Sequence, residues 1–115
     1  MNTPNTAPIR IATTDGIAGS HITMTLGVVV GIAIRSRGVA GNIMAGLDAL
    51  GNGSALDEYR ELLATCRGEA LVRMGRAAEG LGANAVIGTR FDTAEVGREM
   101  VEVVAYGTAV VVQDA

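Results

Sequence analysis

Residues 81–88 read Leu-Gly-Ala-Asn-Ala-Val-Ile-Gly, and this stretch decides the fold. Gly82 is the residue type that most often ends a helix, because glycine adopts the left-handed conformation without steric cost. An apolar run with strand-forming residues follows at once, from Ala85 to Phe91. The stretch therefore predicts a long helix that stops at Gly82 and a buried strand that starts almost without a connector.

The long helix is predicted to begin at Ser54. Ser54 and Asp57 have the spacing of a capping box, in which the serine accepts a hydrogen bond from the backbone amide at position 57. Gly68, Gly75 and Gly80 each cost the helix up to about 1 kcal/mol relative to alanine, so we expect close contact with a second backbone to compensate. Apolar residues recur every three or four positions and predict one buried stripe: Leu56, Tyr59, Leu63, Cys66, Ala70, Met74, Ala77 and Leu81.

Two more long strands are predicted. Ile22–Ile34 is apolar and rich in β-branched residues, and its two glycines are unfavourable inside a helix. Met100–Val112 follows Ala85–Phe91 through residues 92–99, which read as a hairpin loop. A short strand from about Ile9 to Thr13 precedes them and ends at a turn.

These elements predict an α+β fold. The subunit is a two-layer β-α-β-β unit with a three-stranded antiparallel sheet, one long helix and extra short elements, among them a helix over Asn42–Leu50. Side chains at alternate positions of Ile22–Ile34 form a bulky face and a small face, unless a bulge at Gly27 or Gly31 shifts the phase. The bulky set is Leu26, Val28, Val30, Ile32 and Ile34.

A single long helix covers only one face of such a sheet. Leaving four or five valine, leucine or isoleucine side chains in water would forgo about 1.5–3 kcal/mol each, which is large beside typical stabilities of about 5–15 kcal/mol. We therefore expect an obligate homo-oligomer whose copies cover the second face. The alternative is that Ile9–Thr13 and Asn42–Leu50 cover that face within one subunit.

Composition limits the domain count and the class of partner. With 115 residues the chain is one domain over residues 9–115, preceded by a disordered tail over residues 1–8. A net charge of −3 argues against nucleic acid, and we interpret the basic pair Arg35 and Arg37 as a solvated strand end. No apolar stretch reaches the roughly 20 residues that span a bilayer, and no signal peptide is recognisable, so we expect a cytoplasmic protein without a membrane partner.

Several segments together resemble the YbjQ-like family, which is described as heavy-metal-binding. They are residues 26–31 (LGVVVG), Tyr59 with Arg67, residues 81–88, Asp92 and residues 107–110 (GTAV). The resemblance spans nearly everything from Ile11 to Val112. It implies a dodecin-like subunit that assembles as a ring, commonly a homopentamer, with a divalent metal ion as the suggested ligand.

The residues themselves give a metal little support. A soft or borderline metal needs several Cys or His ligands, and the chain has one of each. We interpret His21 as a solvated or capping residue and Cys66 as a small buried hydrophobe. Asp92, Glu95 and Glu99 lack the spacing of a calcium loop and are interpreted as an exposed acidic turn. Symmetry copies in a ring are the one credible route to a metal site.

No catalytic residue is assigned. Ser20 and His21 are neighbours in sequence, which does not make a catalytic relay, and no acid–base pair can be placed in one pocket. The sequence also names no cofactor-binding or metal-ligating residue, and no nucleotide-binding loop occurs. We therefore expect a non-enzymatic homo-oligomer, and the family resemblance alone implies that it binds or stores a metal ion. The alternatives are a ring that binds a small organic ligand between subunits, by analogy with dodecins, and a structural or interaction protein.

Overall fold

The computed structural model describes residues 8–36, 54–97 and 99–115. Its sheet has the strand order β1-β3-β4-β2, and one helix lies across one face, mainly over β2 and β4. The predicted α+β fold is confirmed. The elements are β1 (Arg10–Ile11), β2 (Ser20–Ser36), α1 (Ser54–Gly80), β3 (Ala85–Val96) and β4 (Met100–Asp114).

Two predicted features fall outside the part of the chain that the structure describes: residues 1–7 of the tail and the Asn42–Leu50 helix. The long helix begins at Ser54, as the capping-box spacing predicted. Within the described ranges, no helix combines the length and the apolar character needed to cross a membrane.

The sheet is mixed and has four strands, which corrects the predicted three-stranded antiparallel sheet. β4 pairs antiparallel with both β3 and β2, whereas β1 adds parallel to β3. The Ala12 N–H donates to the Val86 carbonyl (2.9 Å), and the Thr89 N–H donates to the Ala12 carbonyl (3.1 Å). The sequence could not reveal the partner of β1, because two paired residues carry no periodic pattern.

The hairpin between β3 and β4 is tighter than predicted. Residues 92–96, expected in a loop, continue β3 and pair with residues 100–104 of β4. β3 ends at Val96 and β4 begins at Met100, and Gly97 has a φ of 66° where the chain leaves β3. Polar residues such as Asp92 and Glu95 favoured the loop interpretation, yet a solvent-exposed stretch of an antiparallel sheet accepts them.

Helix α1 ends as residues 81–88 predicted. Gly82 has a φ of 91°, and its N–H donates to the Glu79 carbonyl (2.9 Å), while the Ala83 N–H donates to the Ala78 carbonyl (3.0 Å). These two bonds form a Schellman motif, which satisfies carbonyls that the end of a helix leaves without partners. The motif turns the chain directly into β3.

Asn84 then locks the start of β3 beside β4. Its side-chain nitrogen donates to the Val112 carbonyl (2.9 Å), and its side-chain oxygen accepts from the Val112 N–H (2.8 Å). Its own backbone N–H donates to the Val110 carbonyl (3.1 Å). The amide side chain therefore acts like one more strand residue and fixes the register of the sheet before the first residue of β3.

The core lies between α1 and the facing side of the sheet. The stripe predicted for the helix is confirmed at Cys66, Ala70 and Met74, which are fully buried. Leu56, Ala77 and Leu81 are exposed, contrary to prediction. Ala78 is buried in place of Ala77, because the stripe keeps a four-residue spacing from Ala70 onward. The strands contribute Val29, Ala33, Val86, Val101, Val103, Ala105 and Ala109 to the same cluster.

Gly31 of β2 marks the closest approach of helix and sheet. A Cβ atom at this position would overlap the carbonyl oxygen of Ala70 and the backbone nitrogen of Met74. Since backbone atoms of a packed helix cannot move aside cheaply, only glycine fits.

The glycines of the helix itself do not have the role predicted for them. In the described structure a Cβ at Gly68 or Gly80 would meet no atom within 4 Å, and a Cβ at Gly75 would lie 3.0 Å from the side chain of Ile9. The expected contact with a second backbone is therefore wrong for this subunit. The close approach belongs to the strand glycine at position 31.

Candidate functional site

The two faces of the sheet differ in what covers them. On the side of helix α1, Val29 and Ala33 of β2 are 4% and 0% exposed. On the opposite side, called the outer face below, Val28 of the same strand is 74% exposed. The predicted separation of small and bulky residues is confirmed, and the helix covers the small side. Four exposed side chains of β2 form the apolar patch: Val28, Val30, Ile32 and Ile34.

Leu26 is the exception to the predicted bulky set. The pairing of β2 with β4 shifts register between Thr25 and Gly27, where Gly27 has a φ of 126°. Leu26 consequently packs against the cluster beneath the helix. The sequence had named Gly27 as one of two positions at which a bulge would shift the phase, and the structure places the bulge there.

Charged residues border the apolar patch. In the sheet register Val30 lies opposite Tyr106 and Ile32 lies opposite Val104, so β4 adds two half-buried neighbours to the patch. One strand farther, Arg90 lies opposite Tyr106 and Asp92 opposite Val104; Glu102 lies opposite Ile34. An apolar centre with a charged rim is the usual anatomy of a protein–protein interface.

The far end of the outer face is covered by the chain itself. Ile17, in the segment between β1 and β2, packs against Ala85, Ile87, Val110 and Val112. These four residues are at most 9% exposed. The segment between β1 and β2 therefore covers one end of the outer face within the subunit. The strand that the alternative interpretation had named does not, because Ile9 and Ile11 pack against the cluster beneath the helix, and Asn42–Leu50 lies outside the described residues. Over the apolar patch the segment does not do so, because those side chains remain exposed.

β2 is an edge strand, and most of its length has no charged side chain that would discourage pairing with another chain. Within the described residues it pairs with β4 only. Ser20–Ile34 contains no Asp, Glu, Lys or Arg. Edge strands of soluble proteins are usually protected by such charges, because their free N–H and C=O groups otherwise pair with another chain.

The end of that edge is held by helix side chains. Arg35 forms an ion pair with Glu69, and Arg73 donates to the carbonyl oxygen of Ile32. Arg35 is thus tied to the helix rather than merely solvated, which corrects its predicted role; Arg37 lies outside the described residues. The hydrogen bond from Arg35 lowers the pKa of Glu69, and the same bond raises the pKa of Arg35.

The two heavy-metal ligand candidates are not brought together. His21 is exposed near the start of β2, where it pairs with Gln113, whereas Cys66 is fully buried under the middle of the helix. Burial raises the pKa of the Cys66 thiol, which keeps it protonated and unreactive. Among the residues that the structure describes, no group of three His, Cys, Asp or Glu side chains is placed to hold a metal.

The other candidates are equally dispersed. Asp92 and Glu95 are exposed on β3, and Glu99 is exposed in the turn. Since residues three apart on a strand project to opposite faces, Asp92 and Glu95 cannot point at one ion. The Ser20 hydroxyl accepts a hydrogen bond from Arg10 (3.4 Å) rather than pairing with His21.

A basic cleft was not found by sequence reasoning. It lies between the first half of α1 and β3 and is lined by Arg60, Leu63, Ala64, Arg67 and Thr93. The guanidinium of Arg67 lies over the ring of Phe91, 5.2 Å from its centroid. The seven-residue spacing of Arg60 and Arg67 was the signal available in the sequence, but the strand that completes the cleft had been predicted as a loop.

Comparison with known proteins identifies relatives over nearly the whole chain. A family model of the YbjQ type, described as "Putative heavy-metal-binding", matches residues 9–113. A UPF0145 protein of Thermoplasma volcanium is 50% identical over 106 residues, which cover 92% of this chain and 86% of the relative. A UPF0145 protein of Bradyrhizobium sp. is 41% identical over 105 residues, or 91% and 94% of the two chains.

A solved structure shares the fold. It is the crystal structure of a protein of unknown function from Pediococcus pentosaceus, assigned to the DUF74 family. The TM-score is 0.62 at 20% identity, and the match covers 91% of this chain and 98% of the other. At that identity the likeness concerns the arrangement of helix and strands alone.

Proposed function

The chain belongs to the YbjQ-like family, and we propose that it acts as the subunit of a homo-oligomer in which a second copy covers the apolar patch. The observation that carries this proposal is the exposure of the four patch side chains, from 43% for Ile32 to 74% for Val28. They are two valines and two isoleucines, whereas the positions that alternate with them on the same strand, Val29, Gly31 and Ala33, include only one side chain of that size. A ring of five is the assembly that the family resemblance implies.

The size and chemistry of the patch support a second copy as its occupant. Four β-branched side chains with their neighbours on β4 expose an apolar area on the order of several hundred Å², at which exposed patches mark interaction sites. Interfaces between identical subunits are more apolar than those of transient complexes. The four patch side chains carry no charge, and the charged residues lie at the rim, where an interface tolerates them.

The edge of β2 supports the same occupant. The strand has no ionised side chain of its own over fifteen positions, and Arg73 reaches it only at the Ile32 carbonyl, so most of the edge would otherwise be open to uncontrolled pairing. Covering it in a closed assembly removes that hazard, since closure leaves no free copy of the same edge. The proposed contact therefore combines the patch with the adjacent strand edge.

A role in binding rather than catalysis is part of the proposal. It is supported by the state of the reactive side chains: Cys66 is buried and its pKa is raised, and the Ser20 hydroxyl is hydrogen-bonded to Arg10. Neither has a base positioned to activate it among the described residues, and nucleophilic catalysis requires such a partner.

Heavy-metal binding does not follow from the described part of a single subunit, because the donor groups there are not gathered into a site for such an ion. If the assembly binds one, the ligands come from several copies, and His21 is the soft-metal ligand that copies can share because it is exposed. Titration of the assembly with Zn²⁺, Cu²⁺ and Ni²⁺ by calorimetry tests this; His21→Ala is expected to abolish any micromolar binding. Unchanged binding in that variant would exclude His21.

Native mass spectrometry tests the assembly itself. The wild-type chain is expected to give a multiple of the subunit mass, and Val30→Asp is expected to dissociate it by burying an unpaired carboxylate in the contact. Val72→Asp is the matched control, because Val72 is 53% exposed on the opposite layer, on helix α1. Dissociation by Val72→Asp but not by Val30→Asp would place the contact elsewhere.

A further inference from the structure

The basic cleft between α1 and β3 contains guanidinium N–H donors that no described residue binds. The charged surface around Glu69, on the same helix, does not. It has a volume of about 320 Å³ and is open to solvent along one side. That volume lies at the lower end of the range of small-molecule sites. Its lining combines two arginines, one hydroxyl and two apolar side chains.

Arg67 provides the strongest donor group. The ring of Phe91 holds one flat side of its guanidinium, at 5.2 Å, and cation–π contact of this kind fixes orientation without using the N–H groups. No hydrogen bond or ion pair joins Arg67 to any described residue. By contrast, Arg35 forms an ion pair with Glu69, and Arg73 donates to the Ile32 carbonyl.

The remaining lining sets the shape of the ligand. Arg60 lies two helical turns from Arg67, about 10 Å along the axis, and its contact with Asp57 (3.0 Å) is between two highly exposed side chains. Leu63 and Ala64 lie between the arginines and provide an apolar floor. Thr93 adds a hydroxyl from β3.

The number of unengaged guanidinium groups limits the charge of the ligand. Arg60 already contacts Asp57, whereas Arg67 has no hydrogen bond or ion pair with a described residue. One such group favours one negative charge on the ligand. A single carboxylate matches the fork of Arg67, because guanidinium and carboxylate form two parallel hydrogen bonds.

We propose that this cleft binds a small organic carboxylate, with its carboxylate on Arg67 and its apolar body over Leu63 and Ala64. The site is distinct from the apolar patch and uses no residue of the proposed contact between copies. It lies within one subunit, so its occupancy does not depend on the assembly.

Chemical-shift titration of the full chain with benzoate tests the proposal, with benzamide as the uncharged probe of the same shape. Benzoate is expected to shift the signals of Arg67 and Thr93, and Arg67→Gln is expected to weaken binding about tenfold, the loss typical of a charge-assisted hydrogen bond. Arg76→Gln removes an exposed arginine of the same helix outside the cleft and is expected to leave binding unchanged.

Three results would overturn the inference: equal shifts with benzamide, equal weakening by both variants, or no shift near Arg67 at millimolar benzoate. A titration with phenyl phosphate decides the charge. Tighter binding of the phosphate than of benzoate would contradict the assignment to a singly charged carboxylate.

Discussion

The two faces of strand β2 invert the usual distribution of side-chain size. The face that the helix buries carries Val29, Gly31 and Ala33, whereas the outer face carries valines and isoleucines that stand 43–74% exposed. The reason for the small side is the near contact of Gly31 with the helix backbone. Among the described residues, no element packs over the large side chains as the helix packs over the small ones. The difference teaches that helix α1 covers only the small face of the strand, and it supports the proposal that a second copy covers the bulky face.

The largest effect is expected where the helix meets the strand. Gly31→Ala places a methyl group against the backbone of Ala70 and Met74, so it should destabilise the subunit by about 3 kcal/mol or more. Urea denaturation measures the change. Gly68→Ala is the matched control: its added methyl group meets no described atom within 4 Å, and higher helix propensity should stabilise the protein by up to about 1 kcal/mol. Similar losses in both variants would refute the close approach.

A second effect is expected at Asn84, which holds the register between the start of β3 and the end of β4. Asn84→Ala removes two hydrogen bonds to the backbone of Val112 and leaves the Val112 N–H and C=O without these partners, at a cost of about 1–3 kcal/mol. Since a slip by one residue would exchange the two faces, loss of Asn84 should also lower protection of Val112 in hydrogen exchange. Unchanged stability and protection would show that the amide does not hold the register.

A smaller effect is expected at the covered end of the outer face. Ile17→Ala uncovers Ala85 and Val110, and because Ile17 is half-buried the loss should be about 1–2 kcal/mol, below that of a fully buried isoleucine. Thermal unfolding measures it, and the oligomeric mass should not change. If the variant dissociated the assembly, Ile17 would belong to the contact between copies instead of covering its own subunit.

The smallest effect is expected at the ion pair beside the patch. The pKa of Glu69 is lowered in the folded state, so the pair stabilises the fold above the pKa of an unfolded glutamate, and this contribution is lost as the pH falls through the lowered value. Glu69→Gln should therefore lower the Tm slightly at neutral pH, with a difference that shrinks in acid. A difference that is constant with pH would mean that the charge contributes nothing.

Much of this comparison was available from the sequence, because it depends on strong local signals. Alternation in Ile22–Ile34 predicted one bulky and one small face, and Gly82 predicted the end of the helix. The stretch 81–88 was recognised as decisive, although the sequence did not predict that Asn84 would bond to both backbone groups of Val112. Such a contact spans 28 positions along the chain and leaves no local pattern.

The wrong predictions share a physical origin. Each concerns a contact between segments distant in the chain, and such a contact leaves no periodic pattern in the sequence. The pairing of β1 with β3 involves two residues, and polar residues 92–96 form a strand because β4 pairs with them. The basic cleft depended on that same segment, so it could not be assembled while residues 92–99 were read as a loop. The close contact was assigned to the helix glycines because glycine has a low helix propensity. Propensity does not reveal whether the helix or the strand packed against it carries the glycine at the contact.

Sedimentation velocity of the intact chain over a range of low concentrations tests the central claim most directly. If a second copy covers the apolar patch, the protein should sediment as a single species several times heavier than its 11.7 kDa subunit. A species of subunit mass that stays folded and soluble at every concentration would contradict the account.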